Sequence, residues 1–381
     1  MEARKYEFGL DTFMAITAGP DGEPIGGDQV VRDTVEEGAL AEQVGIDSFN
    51  IGEHYRDDMM DSAAHVVLAA IAGRTERIRL GTSVTVLSTQ DPVRLYHNFA
   101  TLDAVSDGRA QPILGRGSAI ESFPLFGYDL REYEEIFEEK LGLFVELLGG
   151  GPITWSGKYR PPLDDVVLTP PLPAGHLPTW VGSGGSPDSV IRAARYGLPL
   201  MLAVIGGRPE RFHPLVDLYR RALAEYGHPT DLPVGLHTLG YVAATDEEAI
   251  ETQWPYWLQT FDRASRERGW RQPTRAQYDA EIAHGAMFVG STETVAQRLA
   301  AVMRALDVDR IDLHYALGRV PAEQRRGSIE LLGREVFPRV RELLSSDPGE
   351  HDGPTGSAAP GHVASPVRST HAPARGIELA R

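Results

Sequence analysis

Short runs of apolar residues alternate along this chain with longer segments whose apolar positions recur at helical spacing. The clearest run, residues 78–87, combines aliphatic and β-branched side chains with small hydroxyls, as is typical of a buried strand. Strands are predicted at residues 6–13, 48–51, 78–87, 110–114, 178–181, 200–204, 234–243 and 310–315. Because each is followed by a helical pattern, the eight units predict an α/β fold, a closed (β/α)8 TIM barrel whose chemistry lies where the strands end.

Helices are predicted at residues 28–44, 63–74, 93–106, 133–148 and 292–306. Two stretches interrupt the pattern: residues 149–177 are rich in proline, and residues 254–288 are aromatic and charged. We interpret both as excursions at the C-terminal face of the barrel that cover or wall a substrate pocket. From 345 to 381 the composition predicts a disordered tail, so residues 1–344 are predicted to form the single barrel domain.

Charge and composition exclude several classes of protein. The 37 basic and 54 acidic residues give a formal net charge of -17, which argues against nucleic acid as a partner. No apolar run is long enough to span a bilayer, and the first residues lack the apolar core of a signal peptide, so a cytoplasmic protein without a membrane partner is expected. The absence of cysteine excludes thiol nucleophiles, thiolate metal sites and disulfides.

The predicted helix at residues 63–72 is apolar on almost every face. A barrel helix needs only one buried stripe, so the extra apolar surface predicts a partner, and we expect a second copy of the same chain in a homodimer. Coverage of this helix by one of the two excursions is the alternative.

His54 follows directly on the second predicted strand, with Glu53 beside it in sequence. An imidazole titrates near neutrality, so His54 is the candidate for proton transfer at the rim of the barrel; a capping or packing histidine is the alternative. A metal site formed by Glu53, His54, Asp57 and Asp58 lacks a recognisable ligand spacing, and no metal is predicted.

Two glycine-containing turns are candidate anion sites. Gly115-Arg116-Gly117 ends the fourth predicted strand and offers a guanidinium between two flexible positions, although a simple turn needs no ligand. Residues 182–189 (GSGGSPDS) join the fifth strand to a helix, so backbone amides and the hydroxyls of Ser186 and Ser189 can meet a phosphate at the helix N-terminus. A glycine-rich turn with a serine cap is the alternative, and neither a Walker loop nor a Rossmann fingerprint is present.

The order and spacing of these motifs resemble the bacterial luciferase-like flavin-dependent monooxygenase family, over about residues 6 to 344. The motifs that carry the resemblance are Glu53-His54, residues 80–87 with Pro92-Val93-Arg94, Asp107-Gly108-Arg109, Gly115-Arg116-Gly117, the serine turn with Tyr196-Gly197-Leu198-Pro199, and Val289-Gly290-Ser291.

The resemblance implies a barrel that binds FMN, or a deazaflavin, at the C-terminal ends of its strands. It implies that His54 assists proton transfer around the reduced flavin and that Arg116 holds the flavin phosphate, with Gly184, Gly185, Ser186 and Ser189 around it. Gly115 lies beside the flavin, and Ser83-Val84 falls where family members often carry a cis peptide bond against the flavin ring. The expected function is that of a monooxygenase or oxidoreductase acting with reduced FMN and O2 on a small organic substrate.

We see no second nucleotide motif for a nicotinamide, so a separate reductase is expected to supply the reduced flavin. The alternatives are a deazaflavin-dependent hydride-transfer enzyme on the same scaffold and a non-catalytic flavin- or phosphate-binding barrel. Bacterial luciferase has a cysteine where this chain has Gly115, a second histidine in place of Tyr55 and a glutamate in place of Gly185, so light emission is not expected.

Overall fold

The structure is a computed structural model that describes residues 5–19, 22–117, 120–172, 176–268 and 271–346. The chain up to Ser345 forms one compact unit. Residues 347–381 of the predicted disordered tail lie outside the described residues.

Strands and helices alternate through most of the chain. The strands are β1 Glu7–Thr12, β2 Ser48–Ile51, β3 Arg79–Val86, β4 Ala110–Gly115, β5 Ile153–Trp155, β6 Leu163–Val166, β7 Trp180–Ser183, β8 Leu200–Ala203, β9 Val234–Val242, β10 Met287–Gly290 and β11 Arg310–His314. The helices are α1 Gly27–Gln43, α2 Ala64–Ala72, α3 Pro92–Ser106, α4 Ser122–Phe126, α5 Tyr133–Leu148, α6 Pro187–Arg195, α7 His213–Tyr226, α8 Asp246–Arg268, α9 Arg275–His284, α10 Thr292–Leu306, α11 Ala322–Leu331 and α12 Phe337–Ser345.

Eight parallel strands close into a barrel in the order β1, β2, β3, β4, β7, β8, β9 and β11, with β11 returning to β1. These are the eight strands that the apolar runs predict, so the predicted TIM barrel is confirmed. The fold brings the carboxyl ends of all eight strands to one face, where the predicted site residues follow β2, β4 and β7.

The two predicted excursions differ in structure. Within residues 149–177, β5 and β6 pair as an antiparallel hairpin. Residues 254–288 are largely regular, because α8 continues to Arg268, α9 follows, and β10 pairs in parallel with the end of β9. Trp254, Trp257 and Tyr278 stack on one another with ring centroids 5.1–5.9 Å apart, so these aromatic side chains join the two helices.

The barrel interior contains a buried ionic layer. Arg310 is 1% exposed, and its guanidinium donates to both carboxylate oxygens of Asp312 at 2.8 Å and to Gln111 and Ser48 at 2.5 and 3.1 Å. Asn50 also donates to Asp312, at 3.3 Å. These polar groups form a hydrogen-bonded layer inside the barrel, in which Asn50 Oδ1 is left without a hydrogen-bond partner among the described residues.

Helix α2 lies between α1 and α3 and buries Val67, Leu68 and Ile71 against the barrel. Val66, on the outer face, is 71% exposed, so in the described part of the chain neither excursion covers this helix. The predicted homodimer remains a prediction. Among the described residues, no helix combines the length and the apolar composition that crossing a bilayer requires.

Candidate active site

His54 lies at the C-terminal face just after β2 and forms a dyad with Asp61. Asp61 is fully buried; one carboxylate oxygen lies 2.7 Å from His54 Nδ1, and the other accepts the His54 backbone amide at 3.0 Å. The ring also packs against Phe13, with centroids 4.3 Å apart. With Nδ1 committed to a carboxylate, Nε2 is the nitrogen left for proton transfer to a bound molecule.

Glu53, the acid next to His54 in sequence, has other partners. Its carboxylate accepts hydrogen bonds from the Tyr55 hydroxyl, from the Gln90 side chain and, at 2.7 Å, from the backbone amide of Val86. Burial raises the pKa of Glu53, although these donors oppose the shift. Glu53 therefore joins the loop after β2 to the end of β3.

Two of the carboxylates named in the alternative metal site, Asp58 and Glu53, have other partners. Asp58 is held by Arg56 at 2.7 and 2.9 Å, while Glu53 binds the end of β3.

The peptide bond between Ser83 and Val84 is cis, which confirms that expectation. Val84 projects toward β4 and β7: a Cβ atom added at Gly115 would lie 2.5 Å from Val84 Cγ2, and one at Gly182 would lie 2.8 Å from Val84 Cγ1. Close packing against Val84 therefore favours glycine at 115.

Arg116 follows β4 and forms an ion pair with Glu134 at the start of α5. Its guanidinium also lies 5.2 Å from the centre of the Tyr133 ring. The second carboxylate oxygen of Glu134 lies 2.8 Å from the guanidinium of Arg192, on α6. Arg116, the candidate ligand of the flavin phosphate, is therefore already paired with an anionic side chain of the protein.

The serine turn after β7 is held by its own hydroxyls. Ser186 is the N-cap of α6 and accepts the Ser189 amide at 3.3 Å. The Ser189 hydroxyl is 2% exposed, lies 2.5 Å from the Ser183 hydroxyl and 2.8 Å from that of Ser186, and donates to the Ser186 carbonyl. Ser183, which was not among the predicted site residues, thus supports the turn. The Ser189 hydroxyl is occupied by contacts inside the turn.

Gly184 and Gly185 leave the backbone of this turn accessible. A Cβ atom at Gly184 would meet no heavy atom within 4 Å, and Gly185 has a φ of 104°, which favours glycine. β4 and β7 are neighbours in the barrel, so this turn and Arg116 follow adjacent strand ends, linked through Glu134 and Arg192. Open backbone at a helix N-terminus near a guanidinium is a donor set that fits a phosphate.

A second buried cluster at the same level of the barrel was missed by the sequence analysis. Asp11 lies 2.8 Å from His314 Nδ1 and 2.9 Å from His237 Nε2. Burial alone would raise the pKa of Asp11, but the two imidazoles hold it well below its usual range. Burial lowers and the Asp11 charge raises the pKa of His237, and the net direction is upward. Phe13 separates this cluster from His54, with ring centroids 4.2 Å from His314 and 4.3 Å from His54.

Residues 7–310 match the model of the luciferase-like monooxygenase family, which spans most of the chain. The chain belongs to this family. Among curated relatives, it is 29% identical over 212 residues to the alkanal monooxygenase alpha chain of Aliivibrio fischeri, a match that covers 55% of this chain and 58% of the relative.

Two solved structures share the fold of this chain. The oxygenating constituent of 3,6-diketocamphane monooxygenase from Pseudomonas putida, in complex with FMN, has a TM-score of 0.68 at 20% identity, covering 88% of this chain and 99% of the other. An F420-dependent secondary alcohol dehydrogenase, in complex with an F420-acetone adduct, has a TM-score of 0.68 at 19% identity with the same coverage. At these identities the likeness establishes the fold, and the family match establishes an oxidoreductase.

Proposed function

We propose that this protein is a flavin-dependent monooxygenase that uses reduced FMN and O2 on a small organic substrate, with the reduced flavin supplied by a separate reductase. The observation that carries the proposal is the arrangement of four strands, β2, β3, β4 and β7, whose carboxyl ends meet at one face of the barrel. The His54–Asp61 dyad follows β2, the cis Ser83-Val84 bond lies near the end of β3, and Arg116 and the serine turn follow β4 and β7.

Two groups of residues would hold FMN, one at its phosphate and one at its ring. Arg116 and the turn of Gly184, Gly185 and Ser186 would bind the phosphate through a guanidinium and backbone amides, and Ser189 would hold the turn in shape. Ser83, Val84 and Gly115 would lie against the flavin ring, where Gly115 allows the close approach of β4 to Val84.

When bound, reduced flavin supplies the electrons for oxygen activation, and the protein supplies position and protons. Asp61 orients His54 through Nδ1, so that Nε2 can give or take a proton at the reacting molecule. Asp61 and Glu53 are buried, which limits the water that reaches the dyad from the side of the barrel wall.

Deazaflavin-dependent hydride transfer is the second candidate, because an F420-dependent dehydrogenase has the same fold as this chain and as the FMN-bound structure. It differs from the first because a reduced deazaflavin does not activate oxygen. Native mass spectrometry of the purified protein identifies any retained ligand. Anaerobic titration with reduced FMN and with reduced F420 then compares the two affinities.

Oxygen uptake after mixing decides between the candidates. We expect tight binding of reduced FMN and oxygen consumption that a flavin-only control, with the same free FMN concentration, does not reproduce. Preference for F420 without oxygen uptake would replace the proposal with the hydride-transfer enzyme. Binding of oxidised and reduced FMN with no change in oxygen chemistry would support a non-catalytic barrel.

A further inference from the structure

Three neighbouring strands of the barrel place metal-ligating side chains around one point. Asp11 is on β1, His314 is on β11 directly opposite it in the strand register, and His237 is on β9, the next strand. The three residues are 0%, 3% and 7% exposed. Within the described residues, they are the group of histidine and carboxylate side chains whose ligating atoms lie within 4.8 Å of one another.

The contacts inside the cluster are of two kinds. His314 Nδ1 and Asp11 Oδ1, 2.8 Å apart, have the geometry of a hydrogen bond. His237 Nε2 and Asp11 Oδ2 are 2.9 Å apart but do not have that geometry, and both atoms are buried without a hydrogen-bond partner among the described residues. A buried imidazole nitrogen and carboxylate oxygen that face each other without a hydrogen bond leave polar valences unsatisfied, which is costly.

The separations in this cluster fit a bound cation. Metal–nitrogen and metal–oxygen bonds are about 2.0–2.2 Å long. Two ligand atoms at roughly a right angle around one ion, as in octahedral or five-coordinate sites, then lie about 2.9 Å apart. The observed separations of 2.8 and 2.9 Å on the two sides of the Asp11 carboxylate fit an ion at the edge of that carboxylate, with one imidazole on each side.

We propose that Asp11, His237 and His314 bind one divalent transition-metal ion. Two imidazoles and one carboxylate suit zinc and its first-row neighbours, whereas magnesium and calcium prefer oxygen ligands. The site is distinct from the His54–Asp61 dyad, because the Phe13 ring lies between them. Asp312, another buried carboxylate on β11, is not available as a ligand, because both its oxygens accept hydrogen bonds from Arg310 at 2.8 Å.

The test uses the full-length protein without a histidine tag, treated with a chelator and then dialysed, and needs no flavin or substrate. Zn²⁺ is titrated by calorimetry, and Co²⁺ by its visible absorption, which reports nitrogen and oxygen ligation. We expect one equivalent of each ion per chain. His237→Asn and His314→Asn should each weaken Zn²⁺ binding by at least about tenfold and remove the cobalt bands.

His54→Asn is the matched control, because it removes an imidazole from the other side of Phe13 and should leave the Zn²⁺ affinity unchanged. Circular dichroism and thermal melting show that each variant is folded, and His237→Gln and His314→Gln replace any Asn variant that is not. The absence of a stoichiometric site in the wild-type protein would overturn the proposal. So would equal Zn²⁺ affinity in the wild type and both ligand variants. Either result leaves the flavin proposal untouched, because no flavin enters the experiment.

Discussion

Glu134 forms an ion pair with Arg116 through one carboxylate oxygen and lies 2.8 Å from Arg192 through the other. It therefore occupies the guanidinium that we assign to the flavin phosphate, and a phosphate must compete with it. Glu134 belongs to α5 and Arg192 to α6, so this carboxylate also joins the helices that flank the site.

Replacing Glu134 by Gln should strengthen FMN binding several-fold, because a neutral amide competes less well than a carboxylate for Arg116. Riboflavin, which lacks the phosphate, should bind the variant and the wild type alike. Quenching of flavin fluorescence measures both affinities. Glu135→Gln, a neighbouring acid that pairs with Lys158 at 3.2 Å, is the control. Equal FMN affinity in the Glu134→Gln variant and the wild type would contradict the competition.

Replacing Arg116 by Ala should weaken FMN binding by about ten- to a hundredfold, the range expected for loss of a charge-assisted hydrogen bond. Riboflavin binding should change little, since the guanidinium lies at the phosphate end in our assignment. The ratio of the two affinities is the informative quantity. An equal loss for both ligands would place Arg116 near the ring or in the fold, and not at the phosphate.

His54→Asn should keep flavin affinity and thermal stability near wild type, because Asn retains a donor and an acceptor at the rim. Turnover coupled to product, or protein-dependent oxygen consumption, should fall by ~100-fold or more if proton transfer is the role of His54. Asp61→Asn should lower the same rate through the orientation of the ring. A pH–rate profile that is identical in His54→Asn and wild type would assign His54 a structural role.

His65 on α2 should make stability depend on pH. Burial lowers the pKa of His65 to about 4, from about 6.5 in an unfolded chain. Between these values the unfolded chain binds a proton that the folded protein excludes, so the free energy of unfolding falls as the pH decreases from 6.5 toward 4. The loss is at most about 3 kcal/mol.

His65→Leu should lack this part of the pH dependence, and urea unfolding at pH 4.5, 5.5 and 7 measures it. Leu also removes the buried Nε2 atom, which has no hydrogen-bond partner among the described residues. His213→Gln, an exposed histidine, is the control and should follow the wild-type curve. If His65→Leu and wild type lose stability in parallel, His65 does not titrate in this window.

Val66→Glu should convert the predicted homodimer to a monomer, because it places a charge on the exposed apolar face of α2. Sedimentation velocity at micromolar concentration measures the change. Ile205→Glu alters a similarly exposed aliphatic residue, 64% exposed, after β8 and should leave the dimer intact. A wild-type protein that sediments as a monomer would refute the dimer.

The barrel strands could be predicted because each is a short apolar run bounded by polar turns, and neighbouring strands bury both faces. The helices of segment 254–288 were not predicted, because its aromatic and charged residues were interpreted as the wall of a substrate pocket. In the structure Trp254, Trp257 and Tyr278 pack on one another, and the segment is helical through much of its length.

The partner of His54 could not be predicted from adjacency. Tyr55 adopts a φ of 56°, and Glu53 is turned toward Val86 and Gln90, while Asp61 returns to the imidazole seven residues later. The Asp11 cluster was missed for a related reason: Asp11 and His314 are separated by 303 positions, and nothing in the local sequence of either residue indicates the other. A charged residue inside a predicted buried strand is the signal that identifies such positions.

The hydrogen bond between Glu53 and the Val86 amide limits where changes in substrate specificity can arise. By joining the loop that carries His54 to the backbone two residues beyond Val84, Glu53 links the candidate proton-transfer group to the strand that contains the cis peptide bond. New specificity must then come from segments outside this loop and strand, such as the β5–β6 hairpin or the α8–α9 pair. We expect substitutions there to alter what enters the barrel mouth while the spacing between His54 and the end of β3 stays constant.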